Sequence, residues 1–116
     1  MGRPSFMGGR RVGLARVEGD SMRPLLRAGD LLVVLHGARV RPGAVVVARF
    51  VDGTWVVKRA TGARRTRAGD AGWWLLSDAP EVGVDSRHRG VVPERDVRAV
   101  VVARLWPRPG RVPRVR

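Results

Sequence analysis

The sequence contains no cysteine, so it offers neither a disulfide framework nor a thiolate nucleophile. Histidine is nearly as scarce. His36 and His88 stand alone with no partner at metal-ligand spacing, so no metal site is expected and no other cofactor is implied. The same scarcity counts against a Ser-His-Asp triad, since His88 reads as a solvated loop residue. Long apolar runs are missing too: the longest, residues 31–35, 44–48 and 99–103, fall far short of a membrane span. Residues 1–11 carry arginine and glycine with no apolar stretch behind them. No secretory signal is read there, and the chain is expected to be soluble and cytoplasmic.

What is present begins with size. A chain of 116 residues can bury one core without metal or disulfide help. The net charge of +13 raises nucleic acid or an anionic membrane as partners. That charge, however, is spread from Arg3 to Arg116 with no dense block. No stacking aromatics are interleaved at the spacing of single-strand binders. No specific nucleic-acid partner is expected, while peripheral contact with an anionic membrane fits the arginines.

Residues 1–11 read as an unstructured N-terminal segment, 12–107 as the folded domain, and 108–116 as a basic Pro/Arg tail. Strands are expected over 12–18 and 30–36. The β-branched and aromatic runs 44–50 and 55–60 flank Val51-Asp52-Gly53-Thr54, a hairpin with Asp-Gly at its tip. Residues 61–72 read as a polar loop, 73–77 as a strand, 78–90 as irregular, 91–96 as one helical turn, and 97–106 as a long last strand. No segment keeps helical periodicity over three turns, so the expected class is mostly β.

Two features carry chemistry. In the stretch from Val17 to Asp30, Ser21 sits between Gly19-Asp20 and Met22-Arg23-Pro24 in a loop joining two strands. Such a loop can present a hydroxyl and its own backbone N–H to one cleft, although an ordinary Ser/Asp/Gly turn has the same composition. The second feature is Lys58, the only lysine in a chain whose other basic residues are all arginine. It lies in an apolar strand, where alternation puts Val56, Lys58 and Ala60 on one face and Val57 and Arg59 on the other. A lysine snorkelling to water is one reading. The other is a general base, because lysine loses its proton when desolvated and arginine does not. Bringing a lysine down to a value near neutrality takes about 4 kcal/mol of differential solvation. Taken together, Ser21 and Lys58 are the parts of a Ser/Lys dyad.

Ser21-Met22-Arg23-Pro24-Leu25-Leu26, followed by Gly29-Asp30, resembles the nucleophile box of type I signal peptidases. Val56-Val57-Lys58-Arg59 resembles their lysine box. Ser77-Asp78-Ala79 with Asp85-Ser86-Arg87 is similar to their third box. LexA-like self-cleaving repressors share the Ser/Lys fold, but the proline after Ser-Met and the Asp-Ser-Arg triplet point to the peptidase branch. Within it, the short length and the Trp73-Trp74 strand look most like nickel-type superoxide dismutase maturation proteases.

The resemblance implies a small catalytic domain of short, coiled antiparallel sheets and a serine endopeptidase acting through Ser21 and Lys58. The oxyanion hole it implies is the Ser21 N–H, with Gly19 where some members carry a second hydroxyl. Met22, Pro24, Arg59, Asp78, Asp85, Ser86 and Arg87 are implied to support the site. An Asp85 pair to Arg59 and Arg87 would lock the hairpin against the third box, the alternative being a surface ion pair of little consequence. The implied partner is a precursor protein with an N-terminal propeptide or leader, cut after small residues. Several positions depart from the pattern. Leu25 replaces a threonine, and Ser77 and Ala79 replace a glycine and an asparagine. Gly83 stands where many leader peptidases place a serine against the lysine, so a different group or a water must orient Lys58. The competing readings are a leader peptidase acting on preproteins at the membrane and a non-catalytic basic module that binds nucleic acid.

Overall fold

A computed structural model describes residues 5–6 and 11–114. Most of the N-terminal segment read as unstructured therefore lies outside the described residues. The strands are β1 (Ser5–Phe6), β2 (Val12–Arg16), β3 (Leu31–His36), β4 (Val45–Arg49), β5 (Trp55–Arg65), β6 (Ala71–Leu76), β7 (Val92–Pro93), β8 (Val97–Trp106) and β9 (Gly110–Arg111). One helical turn, α1 (Ser86–Arg89), and a 3-10 turn (Glu94–Asp96) complete the described elements. All pairings are antiparallel in the order β1-β2-β3-β8-β4-β5-β6-β7, with β9 beside β8.

The sheet curls into a half-barrel, and the register explains how. Shifts occur within β3 against β8, at Val47/Ala48 in β4, and at Ala60/Gly62 in β5. Each bulge bends its strand and steepens the local twist, so the sheet wraps around itself. Two apolar clusters result. One gathers Ala15, Val17, Met22, Leu26, Leu32, Val34, Val45, Val47, Val57, Ala99 and Val101. The other gathers Ala44, Val46, Ala48, Phe50, Ala60, Trp73, Leu75 and Val92. Alternate residues of β4 enter alternate clusters, which is why its sequence is an unbroken apolar run with no polar face. Strand β8 pairs with β3, β4 and β9, so a segment late in the chain ties the sheet together.

The expected strands at 12–18, 30–36 and 97–106 and the 44–60 hairpin are present. The polar stretch 61–72 is different. Strand β5 runs on to Arg65 and pairs with β6 from Arg59↔Leu76 to Arg65↔Ala71, leaving only a short turn closed by Thr66 and Asp70. Its arginines reported solvent on a ribbon that extends past the core, not a loop. The 91–96 segment holds a two-residue strand before its 3-10 turn. Residues 110–111 pair with β8, and the Pro113 carbonyl accepts a hydrogen bond from Arg59, so the described part of the tail packs on the domain. Among the described residues no helix is long and apolar enough to cross a membrane.

Gly72 marks a close approach of two chains. It pairs with Pro93, and a Cβ there would lie 2.6 Å from both the Val91 Cγ1 and the Val92 carbonyl oxygen. Because one obstacle is backbone, relief requires β7 to move. Gly72→Ala is expected to lower stability by about 1–3 kcal/mol. Thermal unfolding checks it; an unchanged melting temperature would show that β7 yields without cost.

Candidate active site

The serine loop leaves β2 and returns at β3. Its base is closed by the Val17 N–H donating to the Asp30 carbonyl at 2.9 Å and the Gly29 N–H donating to the Val17 carbonyl at 2.8 Å. Buried Asp30 accepts the Arg27 N–H and lies 3.7 Å from the Arg104 guanidinium. Met22 and Leu26 are buried and anchor the loop in the first cluster, leaving Arg23 and Pro24 in solvent. The third box docks on the other side: the Ala79 N–H donates to the Ser21 carbonyl at 2.8 Å, and the Asp78 N–H to Met22 Sδ at 3.4 Å. None of these bonds uses the Ser21 N–H. Ser21 itself is half-buried.

Lys58 lies opposite Val46 in the β4–β5 pair, is only 3% exposed, and does not snorkel. Its Nζ donates a 2.8 Å hydrogen bond to Ser77 Oγ. Ser21 and Lys58 converge on Gly83: a Cβ built there would stand 3.3 Å from Ser21 Cβ, 3.4 Å from Lys58 Nζ and 4.0 Å from Ser21 Oγ. Gly83 has φ +77°, in the left-handed region that favours glycine, and it contributes backbone alone between the two side chains. The hydroxyl and the amine thus share one small space. Burial depresses the Lys58 pKa below the ordinary lysine value of 10.5; the Asp85 carboxylate pulls it back up and Arg87 adds to the lowering.

Around this point lies a cleft of about 270 Å³ lined by residues 17–22, 54–58 and 82–84 with Phe50 and Arg89. Gly19 is on its wall. Strand β6 takes up pairing with β5 only at Arg59, so residues 55–58 have β4 on one edge and the cleft on the other. An extended peptide can add to such an edge by main-chain hydrogen bonds. Apolar Val17, Val56, Val82 and Val84 offer shallow contacts to its side chains.

The third box works as a set of clamps, divided differently from expectation. Arg59, 7% exposed, makes a two-pronged pair with Asp78 (Nε to Oδ1 3.0 Å, Nη2 to Oδ2 2.7 Å) and also donates to the Gly43 carbonyl. Asp85 does not reach Arg59. It is wholly buried and accepts hydrogen bonds from the Ser77 N–H, the Arg87 N–H and the Arg87 guanidinium. Because α1 begins right after Asp85, that carboxylate caps the turn and is taken up by Arg87 and the Ser77 N–H instead of Arg59. Burial opposes its ionisation, but the bonds from Arg87 and Ser77 prevail and hold its pKa down at about 2. Ser86 is buried, with its Oγ accepting the Leu75 N–H. His88 is exposed and accepts the Asp85 N–H at Nδ1, which makes it a local capping residue.

Of the positions named from sequence, Gly19, Ser21, Met22 and Lys58 meet at the cleft, while Asp78, Asp85, Ser86, Arg59 and Arg87 brace it from behind. Ser77, which touches Lys58, stands out in the sequence only as a departure from a glycine. Its signal was the pairing of that departure with a glycine at 83: a hydroxyl is present at one position and absent at the other. Among the described residues no three His, Cys, Asp or Glu side chains gather as a metal site.

Lys58 is the only lysine, so a ¹³C-lysine-labelled sample gives a single Cε resonance. Its titration midpoint is expected clearly below 10.5; a midpoint at or above that value would mean a solvated amine. Asp85, shifted from 3.8 to about 2, contributes about 2 kcal/mol of stability at neutral pH, lost as pH falls through that interval. Asp85→Asn should melt lower at pH 7 and lose most of its difference from wild type by pH 2. Parallel melting curves across that range would contradict the assignment.

A search of curated proteins gave no match. A family model, Peptidase S24-like, matches residues 2–85, well over half of the chain. The match spans the serine loop, β5 and the third box as far as Asp85; β8, which ties the sheet together, follows it. A half-barrel β domain bringing a serine and a buried lysine to one cleft fits that match, and the chain belongs to the S24-like family of serine peptidases.

Proposed function

We propose that this protein is a serine endopeptidase that uses Ser21 and Lys58 to remove an N-terminal propeptide or leader from a precursor protein. The observation that carries the reading is the convergence of Ser21 Oγ and the buried Lys58 Nζ within 4.0 and 3.4 Å of one point beside Gly83. Ser21 Oγ attacks the scissile carbonyl carbon while neutral Lys58 takes its proton. The tetrahedral oxyanion is met by the Ser21 N–H, a contribution of about 3 kcal/mol for one such donor. As the C–N bond breaks, the Lys58 ammonium returns a proton to the leaving amine. Lys58, neutral again, then draws a proton from the water that hydrolyses the acyl-enzyme.

The substrate chain enters as an extended strand along residues 55–58, and the family resemblance implies small residues before the cut. The resemblance of the Trp73-Trp74 strand and the three boxes makes the precursor of a nickel superoxide dismutase the first candidate substrate, processed in the cytoplasm. Peripheral attraction to anionic lipid by the arginines is compatible with this reading and does not require a membrane-bound substrate.

The test is incubation with precursor proteins and identification of new N-termini by mass spectrometry. Wild type is expected to cut once near the precursor N-terminus, whereas Ser21→Ala and Lys58→Ala lose activity by at least about 100-fold. Lys58→Arg should be as inactive as Lys58→Ala, because a guanidinium does not deprotonate. Activity should rise with pH along one ionisation below 10.5, as the lowered Lys58 pKa enlarges the neutral fraction at each pH. Cleavage retained in Ser21→Ala, or in Lys58→Arg, would overturn the assignment.

A further inference from the structure

Ser77 is the residue after β6 and is 7% exposed. Its N–H donates to Asp85 Oδ2 at 2.9 Å, and its Oγ accepts the Lys58 Nζ bond at 2.8 Å. The backbone bond therefore holds the residue in place, while the side chain faces the amine. Gly83 also lies against the amine but has no side chain to offer; a Cβ there would stand 3.4 Å from Nζ, in van der Waals contact.

A lysine amine ends a flexible stem and rotates about its last bond. A neutral amine has one lone pair, and only the rotamer that aims it at the serine hydroxyl can accept the proton. One N–H donated to a fixed oxygen removes that rotation, leaving the lone pair and the second N–H pointing away from that oxygen. We infer that Ser77 is the positioning residue of the proposed dyad: its hydroxyl holds the Lys58 amine in register with Ser21, a role left open by Gly83. The inference rests on the Ser/Lys reading but is separable from it. Once the proton has moved, the same oxygen accepts from the ammonium and favours it. The other charged groups near Lys58 are Asp85 and Arg87 of the third box, with Glu18, Asp20 and Arg89 on the cleft wall. None of these hydrogen-bonds Nζ.

The experiment compares wild type with Ser77→Ala and Ser77→Thr in the full chain. Both variants keep the N–H that binds Asp85, so melting recorded above the wild-type Lys58 midpoint should match wild type, whereas at lower pH Ser77→Ala should melt lower because the ammonium has lost its acceptor. In Ser77→Ala the single Lys58 Cε resonance should titrate about one pH unit lower, because an acceptor for the ammonium is gone. Its cleavage rate on a proteome-derived peptide library, measured above that midpoint where Lys58 is neutral, should fall about 10- to 100-fold with KM unchanged. Ser77→Thr, which restores the hydroxyl, should recover both readouts.

A wild-type midpoint and plateau rate in Ser77→Ala would overturn the inference. So would equal losses in the alanine and threonine variants accompanied by a lower melting temperature, which is the pattern of a structural serine. If instead Ser21→Ala or Lys58→Ala still cleaves, the dyad reading has failed. The Lys58 titration then decides by itself whether Ser77 holds the amine.

Discussion

The structure depends on keeping one amine out of water. Lys58 is placed on a strand whose two faces both enter apolar clusters, and only the cleft and the third box leave it polar company. Exposure to solvent would remove the desolvation that lowers its pKa and restore an ordinary lysine. The continuous valines of β4, the bulge at Ala60/Gly62 and the late strand β8 hold the wall against which this amine is desolvated.

The polar groups behind the amine hold it with no carboxylate in contact. A carboxylate in contact with Nζ would lock the ammonium form. Asp85, the nearest candidate, is occupied by Arg87 and by backbone N–H groups, so its charge reaches Lys58 only through space and is opposed by Arg87. Asp78 is likewise taken by Arg59. What touches Nζ is a neutral hydroxyl. The use of arginine for the braces and of the only lysine for the cleft follows from the same chemistry: guanidiniums make fixed two-pronged pairs and stay charged, while an amine changes protonation state.

Much of the fold was legible because its signals are local. The Asp-Gly hairpin, the apolar run of β4 and the alternation around Lys58 depend on residues adjacent in the chain. The stretch 61–72 misled because arginines on an exposed ribbon have the composition of a loop, and its pairing with β6 supplies hydrogen bonds that composition does not show. Ser21 and Lys58 stood out as residue types with chemistry. Ser77 did not, since a serine beside an aspartate is unremarkable until a lysine amine is found 2.8 Å away.

By itself the sequence determined the residue types: one lysine among arginines, one serine in a strand-joining loop, no thiol, and β-rich periodicity. Tertiary structure alone decided which carboxylate meets which arginine, which hydroxyl meets the amine, and that residue 83 is a gap between them. The reason is physical. Periodicity and composition report how each residue relates to water and to its chain neighbours, whereas hydrogen-bond partners are chosen by where a bulged, curling sheet carries segments distant in sequence.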